Sequence, residues 1–198
     1  RALANQASPV VVQLPQTAGP YTQIDGGSEF ACGRQSTGAV QCWGRGGNGQ
    51  LGDNTTFDSS VPVAVNGITT ATHVSVSTGG AFACAVLADG TARCWGGNPN
   101  GNLGNGTTTQ SLVPVVVTGL TNVVSVSAGS SSACALLADQ TVSCWGLNNN
   151  GAVGDGTFTN RLVPVTVTGL TDAAEVSVGG HACARRTDGS IRCWGSNA

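Results

Sequence analysis

Four times in this chain two cysteines stand ten residues apart with Trp-Gly directly after the second: Cys32 and Cys42 before Trp43, Cys84 and Cys94 before Trp95, Cys134 and Cys144 before Trp145, Cys183 and Cys193 before Trp194. All eight cysteines and all four tryptophans lie in these stretches. The second, Ala83 to Gly96, reads ACAVLADGTARCWG: two short apolar-rich runs flank Asp89-Gly90, the pattern of a β-hairpin. Cysteines at this spacing face each other only across a loop with an odd number of residues. A three-residue loop, Ala88-Asp89-Gly90, does this and puts Gly90 where a left-handed residue is needed. Counting outward, Cys84 and Cys94 then fall on a non-hydrogen-bonded pair, where Cα atoms are closest. That geometry favours a cross-strand disulfide in every copy over buried free thiols or a metal. Zinc ligands are normally closely spaced cysteines or cysteine with histidine, and the chain has two histidines. Four such bridges predict an oxidising compartment.

The hairpins recur with cysteine-to-cysteine periods of 52, 50 and 49 residues. Before each lies a β-branched run opened by proline: Ser8 to Pro15 (SPVVVQLP), Ser60 to Gly67, Leu112 to Gly119 and Leu162 to Gly169. Proline is tolerated at a strand's start or on an edge. A second short strand follows each, at Thr22 to Asp25, His73 to Ser77, Val123 to Ser127 and Ala174 to Val178. The expected fold is all-β: a β-propeller-type array of four blades, about four antiparallel strands each, with one intra-hairpin disulfide per blade. Residues 1–7 read as a spacer and 8–198 as the array, its blades at about 8–44, 60–96, 112–146 and 162–195. Cysteine and tryptophan are neighbours on a strand and point to opposite blade faces. Trp43, Trp95, Trp145 and Trp194 are therefore expected to pack between blades rather than to form a sugar platform.

A small-residue strand with ACAL or ACAV, the DG turn, the WG strand end and a G-x-N-x-x-G-x-L-G type connector (Gly46 to Gly52, Gly97 to Gly104) together resemble the regulator of chromosome condensation repeat family. The resemblance spans nearly the whole chain after Ser8 and implies β-propeller blades. The cysteine before each tryptophan resembles the bacterial, secreted branch. The family typically closes seven blades, whereas this chain has four repeats, and Gln140 replaces the turn glycine in the third, which predicts strain or another turn type there. The resemblance implies nucleotide exchange on a small GTPase for nuclear members and β-lactamase inhibition for one secreted relative. Neither activity maps to a local motif, so no functional residue is carried over.

Eight arginines, no lysine and ten acidic residues leave a net charge of −2, which provides no basic field for nucleic acid and no phosphate-binding lysine loop. No apolar run is long enough to span a membrane as a helix. The chain opens at Arg1, so the disulfide reading implies an export signal removed upstream or a chain that is part of a longer one. His73 and His181 fall at different repeat positions and offer no catalytic pair. Asp89, Asp139 and Asp188 read as hairpin-loop residues, and Asp53 and Asp155 as connector turns. The connector Gly46 to Asp53 lacks the tandem repetition of a calcium-binding repeat, so no metal or cofactor is expected. Asn54 and Asn105 head N-x-T acceptor patterns and are candidate glycosylation sites.

The expected role is non-enzymatic, at a secreted, extracellular or cell-surface location. An array of four blades with no evident polar cap at either end predicts a structural or adhesive subunit that polymerises into a filament or assembly through its blade ends. The alternative is a soluble propeller that binds or inhibits another protein through its connectors.

Overall fold

In the structure, a computed structural model, residues 19–196 are described. They form fifteen strands and no helix: β1 (Tyr21–Gly26), β2 (Phe30–Gln35), β3 (Val40–Gly44), β4 (Ser59–Ala64), β5 (Ala71–Val76), β6 (Phe82–Leu87), β7 (Ala92–Gly96), β8 (Ser111–Val116), β9 (Val123–Ala128), β10 (Ser132–Leu137), β11 (Val142–Gly146), β12 (Arg161–Thr166), β13 (Ala173–Val178), β14 (His181–Arg186) and β15 (Ile191–Gly195). Consecutive strands pair antiparallel into four blades, β1 to β4, β5 to β8, β9 to β12 and β13 to β15. The all-β, four-blade reading holds.

Blade boundaries differ from the expected phase. Each proline strand hydrogen-bonds to the tryptophan strand before it, with Val63 opposite Cys42, Val115 opposite Cys94 and Val165 opposite Cys144. Blade 1 is therefore 21–64 and not 8–44, and the others shift likewise to 71–116, 123–166 and 173–195. The reason lies in the connector, which leaves the tryptophan strand, turns twice through Gly49→Gly46 and Gly52→Gly49 backbone bonds, and returns its proline strand to the same sheet. The prolines occupy outer strands, where a missing N–H removes no ladder bond. The strand expected at Ser8 to Pro15 and the spacer 1–7 lie outside the described residues.

Hairpin register agrees with the expected pairing: Cys84 opposite Cys94, Ala85 opposite Arg93, Val86 opposite Ala92. All four disulfides form, with Cα separations of 4.0 to 4.1 Å, the close approach of a non-hydrogen-bonded pair. Gly38, Gly90 and Gly189 close their loops with φ of +87°, +76° and +84°. Gln140 keeps the same turn at φ +68°, so the anticipated strain is present and the change of turn type is not. Gln140→Gly is expected to raise stability by roughly 0.5–1 kcal/mol, because relief of the left-handed penalty exceeds the added freedom of the unfolded chain. Chemical denaturation of the two chains measures it.

Three apolar cores separate the blades. The first joins Cys32, Cys42, Val40 and Leu51 of blade 1 to Ala83, Ala85, Val74 and Trp95 of blade 2. The second and third repeat it with Cys84, Cys94 and Leu103 against Trp145, and with Cys134, Cys144 and Val153 against Trp194. The first three disulfides thus face the following blade, and Trp95, Trp145 and Trp194 the preceding one. Among the described residues no core joins blade 4 to blade 1.

Candidate functional site

Two surfaces stand out, the connector loops and the faces of blades 1 and 4 that no other blade covers among the described residues, and both follow from how one blade locks to the next. Trp95 donates its indole N–H to the Gln50 carbonyl at 3.0 Å, Trp145 to Asn102 at 2.8 Å and Trp194 to Ala152 at 2.9 Å. Each tryptophan therefore seats in the connector of the preceding blade. Gly52, Gly104 and Gly154 line those seats; φ is +70°, +63° and +75°, and a Cβ would meet the indole at 2.7 to 2.9 Å, so no other residue fits.

The connectors are built around asparagines that sequence reasoning missed. Asn98 and Asn148 are 1% and 0% exposed. Each accepts a backbone N–H, from Leu103 or Val153, and donates to two carbonyls, of Thr107 and Thr109 or Thr157 and Thr159. Aligning the connectors on their glycines would have found the pair. The first connector has Gly46 at this place, and there the Phe57 carbonyl sits where a Cβ would be, at 2.0 Å. Asp53, Asn105 and Asp155 each accept from the Thr two residues on, as local turns do. Burial alone would raise the Asp155 carboxyl, but the Thr157 bonds and the Arg161 guanidinium at 2.6 Å hold it below the ordinary carboxylate value. The hairpin carboxylates Asp89, Asp139 and Asp188 are likewise lowered, by hydrogen bonds first from the Thr91, Thr141 and Ser190 hydroxyls. Asn54 is exposed and Asn105 half-exposed. Phe57 and Phe158 stand out from the first and third connectors at 76% and 73% exposure.

Near the axis, side chains of one inner strand satisfy the backbone of the next. Asp25 accepts from Val76 N at 2.8 Å, Ser75 from Ala128 N at 3.1 Å and Ser127 from Val178 N at 2.9 Å. A groove of about 380 Å³ along these strands is lined by Asp25, His73, Ser125 and Glu175, among others. His73 sits in β5 and His181 at the start of β14, and the structure does not bring them together; among the described residues no three His, Cys, Asp or Glu side chains cluster as metal ligands. Burial pushes the His73 imidazole below its usual value, with Asp25 pulling it up and Arg34 pushing it down. A histidine whose folded value lies below the unfolded one, about 6.5, contributes stability that is complete above that pH and is lost as pH falls through the folded value. Melting temperature is therefore expected to fall as pH drops below about 6.5, in a window above the carboxylates, and His73→Gln is expected to flatten that part of the curve.

At the ends the pattern breaks. On the outer face of blade 1, Tyr21 lies over Gly33, where a Cβ would meet its ring at 2.5 Å, and stacks edge-on to Trp43 at 6.3 Å. Its hydroxyl bonds Gln41, which also receives Gln35. Positions that are alanine and leucine in blades 2 and 3 are Gly33 and Gln35 here, so this face carries a partial polar cover, contrary to the expectation of none. Trp43 meets Tyr21 in the described residues where the other tryptophans meet a connector. On the outer face of blade 4, Ile191 is 68% exposed where Val40, Ala92 and Val142 are at most 1%. Arg185 pairs with Glu175 at 3.1 Å beside it, both half-exposed or more.

Comparison with known proteins accounts for this architecture. The regulator of chromosome condensation (RCC1) repeat model matches residues 37–86, 89–136 and 140–184, and a second RCC1 repeat model matches 74–102, 123–152 and 176–198. The human E3 ubiquitin-protein ligase HERC2 is 35% identical over 98 residues, 50% of this chain and 2% of that protein. Human WBSCR16 superposes with a TM-score of 0.84 at 24% identity, over 100% of this chain and 54% of its own. Yeast RCC1 (Prp20), solved with Kap60 bound, superposes with a TM-score of 0.82 at 20% identity, over 96% of this chain and 46% of its own. The chain thus spans a small part of HERC2 and about half of each propeller. With the repeat models covering most of its length and the structure giving their blades, this chain belongs to the RCC1 repeat family.

Proposed function

We propose that this protein is a non-enzymatic, exported structural or adhesive subunit that associates with further copies through the ends of its blade array. The observation that carries this reading is the contrast between interior and end positions. Cys42, Cys94 and Cys144, with Val40, Ala92 and Val142, are buried by the next blade, while Cys193 and Ile191 at the equivalent places in blade 4 are exposed. Among the described residues this apolar surface has no cover, and an exposed apolar patch of this kind fits a protein-binding surface. Four disulfides fit an oxidising, extracellular setting. Protein binding is also the use named for yeast RCC1, which is solved bound to Kap60. Size-exclusion chromatography with light scattering on the 198-residue chain, followed by electron microscopy, tests the reading. Masses above one chain that grow with concentration are expected, and a single-chain particle at high concentration would exclude it.

The connectors support a second reading, a propeller that binds a different protein. The exposed Phe57 and Phe158 of the first and third connectors belong to the aromatic class enriched in protein interfaces. Phe57→Ser with Phe158→Ser is expected to abolish such binding while leaving melting temperature unchanged. Under the first reading the same pair leaves self-association intact. Glycans on Asn54 or Asn105 would lie on this surface, and an intact mass equal to the polypeptide mass would exclude them.

A further inference from the structure

The inner strands β1, β5, β9 and β13 each keep one edge turned away from their own sheet, and strand register decides which backbone groups that edge presents. The close Cys134–Cys144 pair directs the N–H and C=O of Cys134 to its other neighbour, Ser127 of β9. Bonded and non-bonded pairs alternate along a ladder, so Val126, opposite Ala135, turns its own N–H and C=O to the free edge. The same count puts Val74, opposite Ala85, and Val176, opposite Ala184, in that state. All three valines line the groove of about 380 Å³ between the inner strands.

At one of the three the backbone groups are already taken by a side chain. Gln23 of blade 1 donates its amide N–H to the Val74 carbonyl at 2.9 Å and accepts the Val74 N–H on Oε1 at 3.1 Å. A carboxamide meets both because its acceptor and its donor stand side by side. At the register position of Gln23, which lies opposite Arg34, the next two blades carry His73, opposite Val86, and Ser125, opposite Leu136. Neither repeats the clasp. His73 Nδ1 is buried without a partner, and Ser125 is too short to span two backbone groups. Among the described residues, Val126 and Val176 have no hydrogen bond from this edge. Two residues further along each strand the contrast is plain: Asp25, Ser75 and Ser127 accept the N–H of Val76, Ala128 and Val178 in all three joints.

We propose that this groove is a binding site for a neutral carboxamide, which takes on Val126 and Val176 the place that Gln23 takes on Val74. Both valines are buried, and unpaired backbone groups in such a setting carry a cost that a ligand pairing both of them removes. The volume lies in the range of small-ligand sites, roughly 300–1,000 Å³. Charge and hydrogen-bonding capacity select the class. Asp25 and Glu175 line the same groove and repel a carboxylate, while an ammonium group offers no acceptor to a valine N–H. The carboxamide comes as a free small molecule or as an asparagine or glutamine side chain of a bound peptide. The site is independent of the self-association proposed above.

Titration of the isotope-labelled full chain with acetamide, followed through its backbone amide resonances, tests the site. Saturable shifts are expected at Val126 and Val176 and none at Val74, with a dissociation constant of about 1–10 mM for so small a probe. N,N-Dimethylacetamide, which cannot donate, and acetate are expected to leave these resonances unchanged. His73→Gln supplies the clasp from within the chain. It is expected to slow hydrogen exchange of the Val126 amide about fivefold, the factor for one net hydrogen bond, and to abolish the acetamide response at Val126 while sparing that at Val176. Tripeptide Ala-Gln-Ala, compared with acetamide, separates the two sources: tighter binding of the tripeptide assigns the groove to a side chain presented by a partner, and tighter binding of acetamide to a free small amide. No saturable shift at either valine, equal shifts with dimethylacetamide, or a full acetamide response at Val126 in the His73→Gln chain would overturn the proposal.

Discussion

Replacing Trp145 with alanine is expected to lower stability by about 3–5 kcal/mol, the range for truncating a large buried aromatic. Trp145 is fully buried, and its ring belongs to the core between blades 2 and 3 with Leu103, Val117 and Cys94. Truncation leaves a cavity between two sheets whose other contributions at that spot are the small Ala133 and Ala135. It also frees the Asn102 carbonyl, beside an Asn102 amide that is buried with no partner. Trp43→Ala supplies the contrast. That tryptophan is half-buried, has Tyr21 as its aromatic neighbour and faces no preceding blade among the described residues. Its loss is expected to cost less than half as much. Urea denaturation of both variants reads the difference. Equal losses would mean that the tryptophans brace their own hairpins and not the joints between blades.

Removing the Cys84–Cys94 bridge by double alanine substitution is expected to cost more than the chain-entropy value of about 2.5–3 kcal/mol for so short a loop. Both cysteines are fully buried in the core facing blade 3, so their sulfur atoms also fill space that alanine leaves empty. The same change at Cys183 and Cys193 removes an equal loop constraint with less packing, because Cys193 is exposed and Cys183 half-buried. The two double variants should therefore differ by the packing contribution alone. Access orders reduction in the same way: under a mild reductant, alkylation followed by mass spectrometry is expected to label Cys183 and Cys193 first. Labelling of Cys84 and Cys94 at equal rates would indicate that the blades separate before any bridge opens.

What was legible in the sequence was local. A hairpin with cysteines ten apart has few registers, and only one puts them on a close pair, so pairing and loop type follow from counting. Even Gln140 was visible as a residue forced into a glycine's place. The phase of the blades was not legible, because Val-Pro-Val-x-Val suits the outer strand of either neighbouring sheet and nothing within it names the partner. That choice depends on the connector's fold, which turns on Gly49 and Gly52 and their equivalents and returns the chain to the sheet it has just left. The tryptophan seats were half legible: the opposite-face argument assigned them to the joints, but their acceptors lie more than forty residues away in sequence, on carbonyls that any residue could supply.

The candidate surfaces divide along the same line. Asn54, Asn105 and the connectors were recognisable from composition, while Asn98 and Asn148 read as ordinary loop residues until the fold enclosed them. Tyr21 is the sharpest case. Its strand could be seen, but its cover over Trp43 needs Gly33 beneath it, a neighbour defined only once β1 and β2 pair.

By itself the sequence determined the repeat, the hairpin and the four bridges, because each depends on residues within one turn or one strand pair of each other. Only the tertiary structure decided which sheet owns each proline strand, which connector carbonyl receives each indole N–H, and that Tyr21 lies beside Trp43. Those are outcomes of long-range packing, in which identical local patterns compete for the same edge and the geometry of the assembled arc selects among them.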